Sequence, residues 1–131
     1  MTEPAEAEAP SLYVQAGGMP FFESLVGRFY MAVADDPILR LLYPEADLAP
    51  AQRRLTLFLA QYWGGPTTYD QERGHPRLRM RHAPFAIGPV ERDRWLVHMR
   101  ASIEASGADD GVRAPLHDYM TMAAEAMRNR P

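Results

Sequence analysis

Between Gln61 and Ile87 the chain reads QYWGGPTTYDQERGHPRLRMRHAPFAI. Breaks at Gly64, Gly65, Pro66, Gly74, Pro76 and Pro84 leave space for only one or two helical turns between them. Four arginines and two histidines are crowded into this span. A compact helical domain does not need so long an irregular connection, and one that is nonetheless ordered wraps something. The segment is therefore a candidate binding site.

The rest of the sequence has helical periodicity. From Met19 to Asp36, Phe22, Leu25, Val26, Phe29, Tyr30 and Val33 recur on one face while Glu23, Gly27 and Arg28 fall on the other. Asp35, Asp36 and Pro37 end that helix, and Ile38 to Pro44 forms a tight buried turn with Tyr43 near its end. A second helix starts near Pro50 and carries Ala51, Leu55, Phe58, Leu59 and Tyr62 on one stripe. Gly88 and Pro89 open a third, with Trp95, Leu96, Met99, Ser102 and Ile103 on one face, closing at Gly107. The last runs from about Pro115 to Met127 on a stripe of Leu116, Tyr119, Met120, Ala123, Ala124 and Met127. No stretch alternates long enough for a strand, so the fold class is all-α. With 131 residues it forms one domain, residues 12–131, behind an acidic, proline-bearing tail, residues 1–11, expected to be disordered.

Composition removes several function classes. There is no cysteine, which excludes disulfides, thiolate metal sites, a cysteine nucleophile and covalent c-type haem attachment. Every basic side chain is an arginine, yet the net charge is −3. Arg73, Arg77, Arg79 and Arg81 could form a phosphate-binding strip, but that balance argues against nucleic acid as a partner. No apolar run is long enough to span a membrane, and no signal-peptide pattern opens the chain. A cytoplasmic protein is expected.

The four histidines differ. His98 has the position of a boundary residue between buried and exposed faces, and His117 is expected to face solvent. His75, between Gly74 and Pro76, stabilises a turn. His82 ends a short helical piece, PRLRMRH, and is followed by Ala83 and Pro84. An imidazole fixed in this way can present Nε2 to an iron while Nδ1 donates to a carbonyl. Spacing alone does not decide between that role and a structural one. No His, Asp or Glu lies three or four residues away on its face, so a zinc site has no support. Noncovalent b-type haem needs a single protein ligand and stays compatible.

YWGGP at Tyr62 to Pro66 and GHPRLRMRHAPF at Gly74 to Phe85 resemble the truncated haemoglobins, specifically group II of the actinobacterial type. RFY at Arg28, YP at Tyr43 and ERDRWL at Glu91 extend the similarity from Leu12 to Met127. The resemblance implies a truncated globin, a two-on-two α-helical sandwich in which an extended loop and a single turn replace much of the helix bearing the proximal ligand. It implies haem b (iron protoporphyrin IX) as cofactor, with His82 as metal ligand, Arg81 and Tyr69 against the propionates, and Leu55, Phe58 and Trp95 also facing the haem. It further implies that Gly17, Gly18, Gly64 and Gly65 end helical pieces with positive φ.

On the distal side the resemblance places Tyr30, Tyr43 and Trp95 around the ligand, with Ala51 near its entrance and Leu55 beside it. Ordinary core packing is the alternative for each aromatic. Buried phenol and indole groups need partners, at a cost of about 1 to 3 kcal/mol each when unpaired, and dioxygen can serve as one. Two such bonds of about 1.4 kcal/mol each slow release about a hundredfold. The expected function is reversible binding of O2, and of CO and NO, with slow release. The alternative is a haem enzyme oxidising nitric oxide or turning over peroxide with an external reductase. The sequence leaves homo-oligomerisation open.

Overall fold

A computed structural model describes residues 10–131. Residues 1–9, most of the expected tail, lie outside the described residues. The described chain is helical and includes no strand: α1 (Leu12–Ala16), α2 (Met19–Ala34), α3 (Pro37–Arg40), α4 (Ala49–Tyr62), α5 (Thr68–Arg73), α6 (Leu78–His82), α7 (Pro89–Glu104) and α8 (Asp110–Met127). Helix α2 packs on α4 and α7, and α7 on α8, which gives the two stacked helix pairs of a two-on-two sandwich. The six apolar residues predicted for one face of α2 are all buried, together with Leu39, Leu59, Met99, Ile103, Leu116 and Met120 from the other long helices and the α3 corner.

Two helices depart from the sequence expectation. Helix α1 was not foreseen; Ser11 caps it by accepting a hydrogen bond from the Val14 amide. Helix α8 begins five residues before Pro115, because Asp109 caps it through the Val112 amide at 3.2 Å. Pro115 then sits inside the helix, where its missing N–H leaves one carbonyl of the first turn without its usual donor. A proline this close to a helix start reads as the start itself, and the cap further upstream prevails.

The paired glycines divide in function. Gly17, Gly18 and Gly64 have positive φ of 120°, 78° and 102°. Gly65 does not, which corrects the expectation for that residue; what demands glycine is space. A Cβ there would lie 2.6 Å from the Tyr13 ring and 2.8 Å from the Ala60 carbonyl oxygen. This close approach locks α1 over the end of α4, and Tyr13 N–H donates to the Trp63 carbonyl at 3.0 Å.

Two polar clamps hold the frame. Asp36 caps α3, accepting from the Ile38 and Leu39 amides, and also accepts from Arg94 Nε at 2.8 Å and His98 Nε2 at 2.7 Å on α7. His98 is thus the boundary residue expected. At the other end, Asn129 takes the Ile87 amide on its Oδ1 at 2.9 Å and donates from Nδ2 to the Phe85 carbonyl at 2.8 Å. The amides of Asn129 and Arg130 both donate to the Ile87 carbonyl. The residues after α8 thereby fasten the end of the broken segment. His117 is half-buried against Glu104 at 2.7 Å, more enclosed than the solvent-facing position expected.

Candidate functional site

The broken segment folds as α5, an extended link and α6. Glu72 forms a bidentate pair with Arg53, at 2.5 and 2.7 Å, and the Asp70 amide donates to Gln61 Oε1, so α5 is tied back to α4. Helix α6 starts at Arg77, a non-glycine residue in the left-handed region at φ 46° and ψ 53°, a conformation that costs about 1 to 2 kcal/mol. His75 Nδ1 accepts the Arg77 amide at 3.3 Å, the turn-stabilising role expected of it. Arg81 Nε donates to the Pro76 carbonyl at 2.6 Å and its Nη2 to the Arg73 carbonyl at 3.0 Å. A guanidinium thus takes the place of the missing regular structure.

His82 closes α6. Its Nδ1 lies 2.7 Å from the Leu78 carbonyl oxygen, one helical turn earlier. A carbonyl only accepts, so Nδ1 carries the proton and Nε2 keeps a free lone pair. Nε2 has no hydrogen-bond partner among the described residues.

A cavity of about 430 Å³ opens beside this ring. It is lined by all nine residues singled out from sequence: Tyr30, Tyr43, Ala51, Leu55, Phe58, Tyr69, Arg81, His82 and Trp95. Its volume is that of a small-molecule or cofactor site, and its wall is mainly apolar with a few polar groups, as such sites require. A second depression, lined by Arg92, Asp93, Leu96, Val97, Arg100, Thr121 and Glu125, is an open groove between α7 and α8 without a histidine.

Tyr30, Tyr43 and Trp95 converge on the cavity from α2, the turn after α3, and α7. The Tyr30 and Tyr43 rings meet edge to face at 5.5 Å, and Phe29 packs against both Tyr30 and Trp95 at 5.1 and 5.2 Å. Burial pushes the Tyr30 phenol far above its ordinary value, and the neighbouring Tyr43 pushes it further. Burial also raises Tyr43, against the opposing influence of the Tyr30 and Trp95 side chains. Both phenols therefore stay protonated at any physiological pH and act as O–H donors. The Tyr43 hydroxyl lies against the polar ends of both Tyr30 and Trp95, so the three groups are gathered on one part of the cavity wall.

Several lining residues escaped the sequence reading. Arg54 and Glu45 form an ion pair at 2.9 Å on the cavity wall. Arg73 lines it too, beside the expected Arg81, and neither has a carboxylate partner among the described residues. Tyr119 reaches it from α8, alongside Met120 and Met127. Their periodic placement marked α8 residues as core, and nothing in a helical stripe separates a core position from a cavity wall.

The family model of bacterial-like globins matches residues 11–129. A group 2 truncated haemoglobin of Bacillus subtilis is 37% identical over 116 residues, covering 88% of this chain and 87% of that protein. Among solved structures, a thermostable haemoglobin of the actinobacterium Thermobifida fusca is 53% identical with a TM-score of 0.91, covering 93% of this chain and 99% of the other. A truncated oxygen-avid haemoglobin of Bacillus subtilis has a TM-score of 0.86 at 37% identity, covering 92% and 100%.

Proposed function

This chain belongs to the bacterial-like globins, as a group II truncated haemoglobin with haem b as its cofactor, and we propose that it binds O2 reversibly at a haem held by His82 and releases it slowly. The observation that carries the reading is the anchored ring of His82, with its bare Nε2, on the same cavity as three polar aromatic side chains.

The residues present fit haem b. Among the described residues His82 is the only histidine on the cavity wall, and the Leu78 carbonyl fixes its ring and enriches Nε2 as a donor. Leu55, Phe58 and the wall of α8 offer the apolar contact a porphyrin needs. Arg73 and Arg81 supply two cations without carboxylate partners among the described residues, matching two propionates, and the Arg73 guanidinium lies over the Tyr69 ring at 5.9 Å. When bound, haem supplies an iron that takes up a diatomic ligand and shifts electron density onto it.

Tyr30, Tyr43 and Trp95 then do what preplaced donors do wherever negative charge develops: they stabilise the charged arrangement without reorganising. Their neighbours Phe29 and Leu39 exclude water, which strengthens each such bond. Because both phenols are held in the protonated form, this stabilisation is insensitive to pH over the physiological range. Ala51, buried and small, leaves the entrance unobstructed. The oxygen avidity of the related Bacillus subtilis haemoglobin supports the slow-release reading.

Stopped-flow displacement of O2 by CO tests this. Release about a hundredfold slower than without the donors is expected from two of them at about 1.4 kcal/mol each. Release as fast in the wild type as in a Tyr30→Phe, Tyr43→Phe, Trp95→Phe triple variant would remove the proposal's basis.

A further inference from the structure

Helix α6 has an inner and an outer face. Leu78, Arg81 and His82 line the cavity, while Arg77, Arg79 and Met80 are exposed. A single helix of five residues therefore separates that outer face from the cavity. Between Glu72 and Glu91 the sequence has four arginines and no carboxylate, whereas the rest of the chain sets ten arginines against seventeen acidic residues.

We propose that the outer face of α6, at Arg77, Arg79 and Met80, is the docking surface of a small acidic electron-carrier protein that delivers one electron to ferric haem in the cavity. The proposal rests on the haem-binding reading. The carrier is oxidised by one electron and ferric haem is reduced by one, with no bond made or broken.

The charge on this face is unanswered. Elsewhere on the surface Arg53 is paired with Glu72, Arg54 with Glu45, Arg92 with Glu125 and Arg113 with Asp110. Arg77 and Arg79 have neither a carboxylate partner nor a side-chain hydrogen bond among the described residues. With Arg73 and Arg81 taken by the propionates, these two cations stay free for a partner. On a chain of net charge −3 they make a local positive field within a negative one, which draws an acidic protein to this side and orients its approach.

Met80 gives the face an apolar centre. It is 58% exposed and lies between Arg79 and Arg81 in the sequence. Methionine and arginine are enriched in protein interfaces, and a small apolar centre with a charged rim suits the small contacts of redox encounters. Arg77 holds a left-handed backbone at φ 46°, which glycine would adopt without strain. Its exposed side chain gains no burial in return, and strain of this kind collects at binding sites.

The position also suits electron transfer. Transfer slows steeply with distance, so a carrier must dock where the wall of the pocket is thin, and α6 ends in His82 itself. An extended polyanion, whether a membrane surface or a nucleic-acid duplex, would also lie against the acidic remainder of the chain. A small protein covers α6 alone.

The test uses the full haem-loaded protein, with an acidic plant-type ferredoxin as the probe carrier. Ferric protein is mixed with reduced ferredoxin under CO in a stopped-flow instrument. The second-order rate should fall as salt rises, and at low salt it should drop about tenfold in an Arg77→Asn, Arg79→Glu double variant. Asparagine tolerates the left-handed backbone of that position, so the fold is kept. Reduction by photoreduced riboflavin, small and uncharged, should be unchanged. Binding is read separately from amide shifts of the nitrogen-15-labelled carbonmonoxy protein on adding oxidised ferredoxin, which should centre on α6 and vanish in the double variant. A rate independent of salt, an equal rate in wild type and variant, or shifts centred elsewhere overturns the docking surface. So do shifts at α6 with phosphatidylglycerol vesicles or duplex DNA and none with ferredoxin. Absence of a haem absorption band overturns the haem reading and the docking surface together, whereas a normal band with any of the preceding results overturns the docking surface alone.

Discussion

Asp36 Oδ2 and His98 Nε2, 62 positions apart in sequence, meet at 2.7 Å inside a carboxylate site that also takes Arg94 and two backbone amides. This contact joins the corner between α2 and α3 to α7, and so fixes the helices carrying Tyr30 and Trp95 relative to each other.

Stability should consequently fall in acid. Burial works to raise the Asp36 carboxyl, but hydrogen bonds from His98, Arg94 and the Leu39 and Ile38 amides outweigh it and hold the group well below the usual carboxylate range. A depressed folded value means stability that is complete above the unfolded value of about 4 and is lost as pH falls toward the folded one. Asp36→Asn should lower unfolding free energy by about 1 to 3 kcal/mol at pH 7. In urea titrations the difference from wild type should narrow below pH 4; an equal difference at pH 7 and pH 3 would count against the assignment.

The distal donors can be ranked one at a time. Replacing Tyr30, Tyr43 or Trp95 singly by Phe removes one donor, worth about 1.4 kcal/mol or about tenfold in the O2 release rate. Trp95→Phe should accelerate release most, because its indole works on both Tyr43 and the ligand space. A release rate unchanged in Trp95→Phe would show that the indole only packs.

Gly65→Ala should destabilise the fold without touching the cavity. Its Cβ would press on the Tyr13 ring and the Ala60 carbonyl, at 2.6 and 2.8 Å. Overpacking of this kind costs about 1 to 3 kcal/mol. The urea midpoint measures it, and an unchanged midpoint would mean that α1 shifts freely.

Asn129→Ala should loosen the segment that bears His82. The side chain satisfies the Ile87 amide and the Phe85 carbonyl, and their loss is worth about 1 to 3 kcal/mol. Faster haem transfer to an apoglobin acceptor is expected, with the O2 release rate unaltered. Transfer at the wild-type rate would show that the C-terminal residues are only appended.

The sequence made some of this legible and hid the rest for physical reasons. The face of α2 was readable because six apolar residues obey one period, and the place of His82 at the end of a short helix because prolines bound that piece, while its role as a ligand came from the family resemblance alone. Asp36 and Asn129 were not readable: their partners lie 58 to 62 and 42 to 44 positions away, and no local pattern encodes such a pairing. Pro115 misled because proline is tolerated near a helix start and resembles its first residue. Gly65 was marked as special but for its φ, whereas the constraint is a neighbour, Tyr13, more than fifty residues earlier. Tyr119 looked like core because a cavity wall and a core face share the same helical period.

The central claim is that His82 holds the haem. The most direct measurement is the absorption and resonance Raman spectrum of the ferrous protein in the wild type and in His82→Gly, with and without added imidazole. The wild type should show a five-coordinate, histidine-ligated haem, His82→Gly should lose the iron–histidine signature, and imidazole should restore it. A His82→Gly protein with the wild-type iron–histidine signature and no added imidazole would contradict the account.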